Sequence, residues 1–352
     1  MSEDSSRSSV KQMARELGLS MGTVSIVLNG RGNEMRISKA TQKRVMECAK
    51  KYHYRPNVYA KRLRRAGGKS MLVVAVFWPS SFNPIMVSRF LNGLQRTQDK
   101  ESQEVEIMLQ PYRYNELYKS AERLSSGYYS GAVLMGLSEK DFSFVNSCSF
   151  DIPIVLLNRV SDKYSAVCVD DFENGARAAE LLIQRGHKEL GLISYSMISR
   201  SSMLRQSGFL STSMQNGIYL TRERIVDAPT TTYDGGKIAT EELLQKCAEK
   251  LPTGLFIQES SLAMGALLVF KKHGIEVPND MEIITYGDNP QDAFTIPTLT
   301  SIRMPIEEMS SECIKLITDI LSGHVKKNTT SIYPTSLVFR ESCGNNQSSF
   351  KG

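Results

Sequence analysis

A chain of 352 residues, 41% hydrophobic and 23% charged, has globular composition and length for two or three domains. Its net charge of +6 is unevenly placed: residues 1–69 carry +11 and residues 70–352 carry −5, so a small cationic module precedes a mildly acidic body and points to a polyanionic partner. The absence of a membrane-length apolar run, the polar start MSEDSSRSS and six scattered cysteines exclude a membrane span, a secretory leader, a disulfide framework and a zinc site; the expected compartment is the cytoplasm.

Residues 1–8 read as a disordered start. Val10, Met13, Ala14 and Leu17 then make an apolar stripe on a first short helix. Gly18 supplies a tight corner, Ser20 an N-cap, and a second helix follows to Asn29 with Val24, Val27 and Leu28 on one face and Met21, Gly22, Ser25, Ile26 and Asn29 on the other. An ordinary helical hairpin fits these two helices alone; on a basic module they read as a helix-turn-helix whose second helix meets a groove. After a loop over 30–36, Ser38 caps a third helix with Val45, Cys48, Ala49 and Tyr52 inward and Lys39, Lys43, Arg44, Lys50 and Lys51 outward, a row that suits either solvent or phosphates. Pro56 stops that helix and can start a hinge helix over about 56–66, short enough to order only on DNA. Gly68-Lys69-Ser70 is no phosphate-binding loop, since Leu63 stands where such a loop needs Gly.

From Met71 the pattern changes to short apolar runs alternating with amphipathic stretches. Strands are expected at Met71–Phe77, Val105–Leu109, Gly131–Met135, Ile154–Leu157, Val167–Val169, Leu190–Ile193, Leu255–Ile257 and Ile283–Tyr286, with helices at Met86–Lys100, Asn115–Ser125, Glu173–Arg185, Leu204–Asn216, Gly236–Lys246 and Leu262–His273. Apolar strands joined by helices indicate parallel sheets covered on both faces. Some eight such units exceed one sheet, so the α/β body is expected to form two doubly wound lobes with a ligand cleft at the C-terminal ends of the strands.

The sequence resembles the LacI/GalR (lactose-repressor) family of bacterial transcription regulators over nearly its whole length. The carrying segments are VKQMARELGLSMGTVS at 10–25, Asn29-Gly30, RISKATQKRV at 36–45, Tyr54-Arg55-Pro56-Asn57, Asn83-Pro84, VDDFENG at 169–175, Gly186-His187, LRQSGF at 204–209, Leu262-Ala263-Met264-Gly265 and PTLTSI at 297–302. The resemblance implies a homodimer, a headpiece over 1–69 with a minor-groove hinge helix, and a core over 70–352 similar to periplasmic sugar-binding proteins. The core lobes, about 70–165 plus 300–328 and about 166–299 plus 329–345, would be joined by three crossings.

Carried over by motif, the DNA-binding residues are Ser9, Lys11, Ser20, Met21, Gly22, Thr23, Ser25, Ile26, Asn29, Arg36, Tyr54, Asn57, Ala60, Lys61 and Leu63. Phosphate anchoring falls to Ser9, Ser20, Thr23, Ser25, Asn29 and Arg36, base reading to Met21, Gly22 and Ile26, and minor-groove wedging to Leu63 supported by Asn57 and Ala60. Ile26 stands where the family often has a guanine-reading Arg, so the operator should differ at that base pair. Effector positions are Trp78, Phe82, Ile85, Asn158, Arg205, Glu259 and Asp288, with Glu259-Ser260 in place of the usual Asn-Asp and Gly287 in place of the first acid of a pair. Trp78 suits stacking on a sugar face or a place in the core.

Only four histidines occur, and no nucleophile elbow or dinucleotide fingerprint appears, so no catalytic residue, metal or cofactor is expected. The expected function is that of a homodimeric repressor of a palindromic double-stranded operator, controlled by a small, sugar-like effector. A cytosolic solute-binding protein, or a regulator answering a partner protein or no effector, stand as alternatives.

Overall fold

Apolar spacing sets three short helices at the N-terminal end: α1 Val10–Leu17, α2 Met21–Leu28 and α3 Lys39–Lys51. Their stripes meet in one small core of Met13, Ala14, Val24, Val27, Val45, Cys48 and Ala49. The corner between α1 and α2 is Gly18 at φ +65°, a conformation that costs glycine nothing. Ser20 and Ser38 cap α2 and α3 by accepting from the Thr23 and Thr41 amides at 3.0 and 3.1 Å. The computed structural model describes residues 10–28, 30–51, 71–81, 84–98, 105–125, 127–195, 199–325 and 328–344. The hinge helix expected over 56–66 lies outside these residues.

The first lobe of the body is built from β1 Leu72–Pro79, α4 Pro84–Gln98, β2 Val105–Tyr112, α5 Ala121–Ser125, β3 Gly131–Met135, α6 Glu139–Ser147, β4 Ile154–Leu157 and β5 Ser165–Cys168. The second takes α7 Asp171–Gln184, β6 Leu190–Tyr195, α8 Arg200–Gln215, β7 Ile225–Ala228, α9 Tyr233–Lys246, β8 Gly254–Ile257, α10 Ser260–Lys272, β9 Glu282–Gly287 and β10 Thr300–Arg303. The chain then returns with α11 Ile306–Leu321 and β11 Thr330–Ile332 to the first lobe and ends with β12 Ser336–Val338 in the second. The sheet orders are β11-β5-β4-β3-β1-β2 and β12-β10-β9-β8-β6-β7, every pairing parallel except β10 with β12. All eight residues of β1 are buried, as a central parallel strand with helices on both faces requires.

Two lobes and three crossings match the expectation, but the boundaries expected at 165/166, 299/300 and 328/329 each move toward the C-terminus. Ser165–Cys168 and Thr330–Ile332 pair within the first sheet and Thr300–Arg303 within the second, so the chain changes lobe after Cys168, after Arg303 and after Ile332. Strand pairing sets the boundary, and short strands with polar residues hide it. Thr300 and Ser301 are wholly buried, their hydroxyls donating to the carbonyls of Arg340 and Thr285, which is how a polar pair lives inside a sheet.

Two close contacts fix the lobes. In the second, Gly175 of α7 and Gly208 of α8 let the helices touch through backbone: a Cβ on either would stand 1.9 Å from a carbonyl oxygen of the other helix. Between the lobes, Arg89 of α4 is 4% exposed and grips the Glu307 carboxylate at 2.8 and 2.9 Å, the Gly287 carbonyl at 2.6 Å and the Met304 carbonyl at 3.0 Å. It thereby ties the first lobe to the end of β9 and to the second crossing. None of the described helices is long and apolar enough to cross a membrane.

Candidate functional sites

The first site is the outer face of α2. Ser20, Met21 and Gly22 are exposed at its start, Met21 to 54%, and Thr23, Ser25 and Ile26 follow half-buried. Arg36 is exposed at φ +52° on the loop before α3. Lys11 lies in the first turn of α1. Ser9, Asn29, Tyr54, Asn57, Ala60, Lys61 and Leu63 lie outside the described residues. The cationic row on α3 is partly structural: Lys51 pairs with Glu16 of α1 at 2.7 Å, Lys43 reaches Glu47 at 3.9 Å, and Arg44 donates to the Leu17 carbonyl at 3.0 Å. Such exposed pairs contribute at most about 1 kcal/mol each, and they leave Lys39 and Lys50 as the simpler phosphate candidates.

The second site is an open cavity between the two lobes. It lies where sequence patterning places a ligand, against the C-terminal ends of β3, β4, β6, β8 and β9, with walls at Met135, Leu157, Tyr195, Gln258 and Tyr286. Met86 of α4 and Met304 of the second crossing close it, so three methionines face one ligand space.

Three of the expected effector residues line this cavity: Asn158, Arg205 and Glu259. Arg205 of α8 is 4% exposed and pairs with Asp171 at the start of α7 at 2.5 Å, donates to the Tyr195 hydroxyl at 3.1 Å, and lies 4.1 Å over the Tyr286 ring. Burial works against its charge and the Asp171 carboxylate more than offsets it, so the guanidinium stays protonated. Burial, and then the charge of Asp171, push the Tyr286 phenol well above its ordinary range, so its hydroxyl keeps its proton. Asn158 sits at φ +56°, a left-handed position that asparagine tolerates better than most residues. Its amide donates to Asp171 at 2.7 Å and to the Ser201 hydroxyl at 3.0 Å and accepts from the Val169 amide at 3.1 Å, joining the first crossing to α7 and α8. Glu259 caps α10, taking the Ser261 and Leu262 amides at 2.6 and 3.3 Å.

The structure does not bring Trp78, Ile85 or Asp288 to the wall. Trp78 is 7% exposed at the end of β1 and packs in the main apolar core. Ile85 is half-buried on α4 one residue before Met86, which takes the wall position. Asp288, at φ +53°, turns its carboxylate to Arg340 at 2.7 Å, leaving Gly287 and Asn289 at the cavity. Phe82 lies outside the described residues. Sequence reading gives no role to Asp171, although its motif is legible, nor to Arg200, Tyr195 and Tyr286, which line the wall from helix and strand ends that apolar patterning does not distinguish from core.

Behind Asn289, Asp292 is wholly buried; one oxygen accepts from the Ser260 hydroxyl at 2.7 Å and the Asn289 amide at 3.2 Å, and the other has no partner among the described residues. Burial pushes its carboxyl up to about 7. An unfolded Asp releases its proton near pH 4, so between about pH 4 and 7 the folded chain holds a proton that the unfolded chain has lost, and stability falls as pH rises. Asp292→Asn is expected to flatten that fall in urea midpoints at pH 5 and 7.5; an unchanged slope would remove Asp292 as its source.

The family model "Bacterial regulatory proteins, lacI family" matches residues 9–57 and the "Periplasmic binding protein-like domain" model matches residues 179–343. Among curated relatives, the chain is 27% identical over 336 residues to the probable HTH-type transcriptional repressor ExuR of Bacillus subtilis (strain 168), covering 95% of this chain and 97% of that one. Among solved structures it is similar to a LacI family transcription regulator from Clostridium acetobutylicum, at 29% identity and TM-score 0.72 over 76% of this chain and 99% of that one. It shares the fold of the lac repressor dimer bound to operator and the anti-inducer ONPF, at 23% identity and TM-score 0.69 over 96% of this chain and 99% of that one.

Proposed function

The chain belongs to the LacI/GalR family, a sequence-specific DNA-binding regulator of transcription and not an enzyme, and on that premise we propose that it is a cytoplasmic, homodimeric repressor of a palindromic operator. The observation that carries this reading is the exposed start of α2, presented by a basic module of +11 ahead of a body of −5. Met21, Gly22 and Ile26 would read base edges, and Ser20, Thr23, Ser25 and Arg36 would hold phosphates. A gel shift with the DNA upstream of its own gene tests this. The expected result is one preferred site whose affinity falls steeply with salt; equal binding to any duplex would end the operator reading.

Control by a small molecule in the cleft follows the geometry of the lobes. The cavity touches Gly287 and Met304, whose carbonyls Arg89 holds, so a ligand that prefers one spacing of the lobes shifts that joint and the relation of the two headpieces. Phe294 and Ile296, 84% and 94% exposed on the loop after β9, and Ile238 and Leu268, 56% and 61% exposed on α9 and α10, support a second copy of the chain against the second lobe. The variant carrying Phe294→Asp and Ile296→Asp is expected to elute as a monomer and to lose roughly a hundredfold or more in operator affinity, the gain of two linked half-sites. A variant that stays dimeric would place the interface elsewhere.

A further inference from the structure

Resting on the effector reading above, we infer that the cleft takes a small organic anion with an apolar body, and not a neutral polyhydroxyl sugar. The carboxylates at the cavity and just behind its wall are already engaged. Asp171 receives Arg205 and Asn158, Glu139 receives Arg159 at 2.7 and 2.8 Å, and Glu259 holds the first amides of α10. The Asn158 carbonyl is taken by the Val169 amide and the Asp288 carboxylate by Arg340.

What remains unspent is a set of donors. Arg205 Nε is buried at the wall with no hydrogen-bond partner among the described residues, and the Tyr286 hydroxyl lies beside it, close to Asp171. Arg200, at the cavity, has no ion-pair or hydrogen-bond partner among the described residues. Arg205 and Arg159 are paired with carboxylates, and Arg200, whose charge helps to lower the Glu139 carboxyl from a distance, is the one wall arginine without a carboxylate in ion-pair contact among the described residues. The Thr231 hydroxyl can serve either way. The apolar part of the surface is Met86, Met135, Met304, Leu137 and Leu157, a soft wall that packs against rings or short alkyl chains.

A sugar hydroxyl donates as well as accepts, and each one buried here without an acceptor carries its full desolvation cost. A carboxylate or phosphoryl group only accepts, fits the unspent donors, and meets Arg200 with a charge-assisted bond. The apolar body fills the methionine side.

Matched probes on the full chain test this by thermal shift and titration calorimetry: benzoate with benzamide, hexanoate with hexanamide, phenyl phosphate with phenol, and glucose and galactose. At least one acid is expected to bind and raise Tm while its neutral partner and both sugars do not, and the carboxylate and phosphate arms tell which acid group the site prefers. Arg200→Gln is expected to weaken that acid at least tenfold, and Arg200→Lys to recover part of the loss, with ligand-free melting checking that each variant folds. Neutral partners or sugars that bind as well as the acids, or an Arg200→Gln variant that binds them like the parent, would overturn the anion assignment and leave a ligand-responsive cleft standing. Binding of no probe by a protein that still shifts its operator would overturn both.

Discussion

Arg205→Met is expected to cost about 3–5 kcal/mol of folding stability and to abolish the ligand response. Asp171 is 4% exposed and would lose the guanidinium 2.5 Å away, leaving a buried carboxylate without its cation. The Tyr195 hydroxyl and the face of the Tyr286 ring would lose their cation at the same time. Asp171→Leu made together with Arg205→Met is expected to recover most of the stability, because an apolar pair carries no desolvation cost, yet not the ligand response. Urea unfolding and ligand-dependent operator release separate the two effects. A single variant as stable as the parent would show that the buried pair does not hold α7 to α8.

Gly208→Ala is expected to cost about 3 kcal/mol or more, at the upper end of what overpacking does. The added carbon would stand 1.9 Å from the Phe172 carbonyl oxygen, and backbone, unlike a side chain, has no rotamer to turn away. Relief requires α7 and α8 to part, and Arg205, three residues before Gly208, would move with α8. Loss of stability and weaker ligand binding are therefore expected in the same variant. A cost under about 1 kcal/mol in urea unfolding, the scale of an ordinary Gly to Ala change, would contradict the close approach.

How legible these features are from sequence depends on whether they repeat. The inner faces of α1, α2 and α3 follow apolar spacing, and Val24, Val27, Val45, Cys48 and Ala49 are buried as that spacing predicts. Gly131–Met135 and Ile154–Leu157 coincide with their predicted strands because their apolar runs end where pairing ends. β10 is missed since Thr300 and Ser301 are polar, and α8 starts four residues early because Ser199 caps a polar first turn with Ser202. In the cleft, family motif places Asn158, Arg205 and Glu259 at the wall, but motif does not tell where a side chain points. Asp288 turns to Arg340, a residue 52 positions away, and Trp78 joins the core. Long-range pairing of this kind leaves no local trace in the chain.

The Arg89 clamp carries a consequence for how such a protein changes its ligand. Two of its bonds reach main-chain oxygens, at positions 287 and 304, and a main-chain oxygen is present whatever side chain stands there. Met304 can therefore be exchanged, and the chamber re-lined for a new metabolite, while the pivot that reports occupancy keeps its grip. Selectivity and signalling are held by different atoms of the same residue, so descendants are free to alter the first and inherit the second.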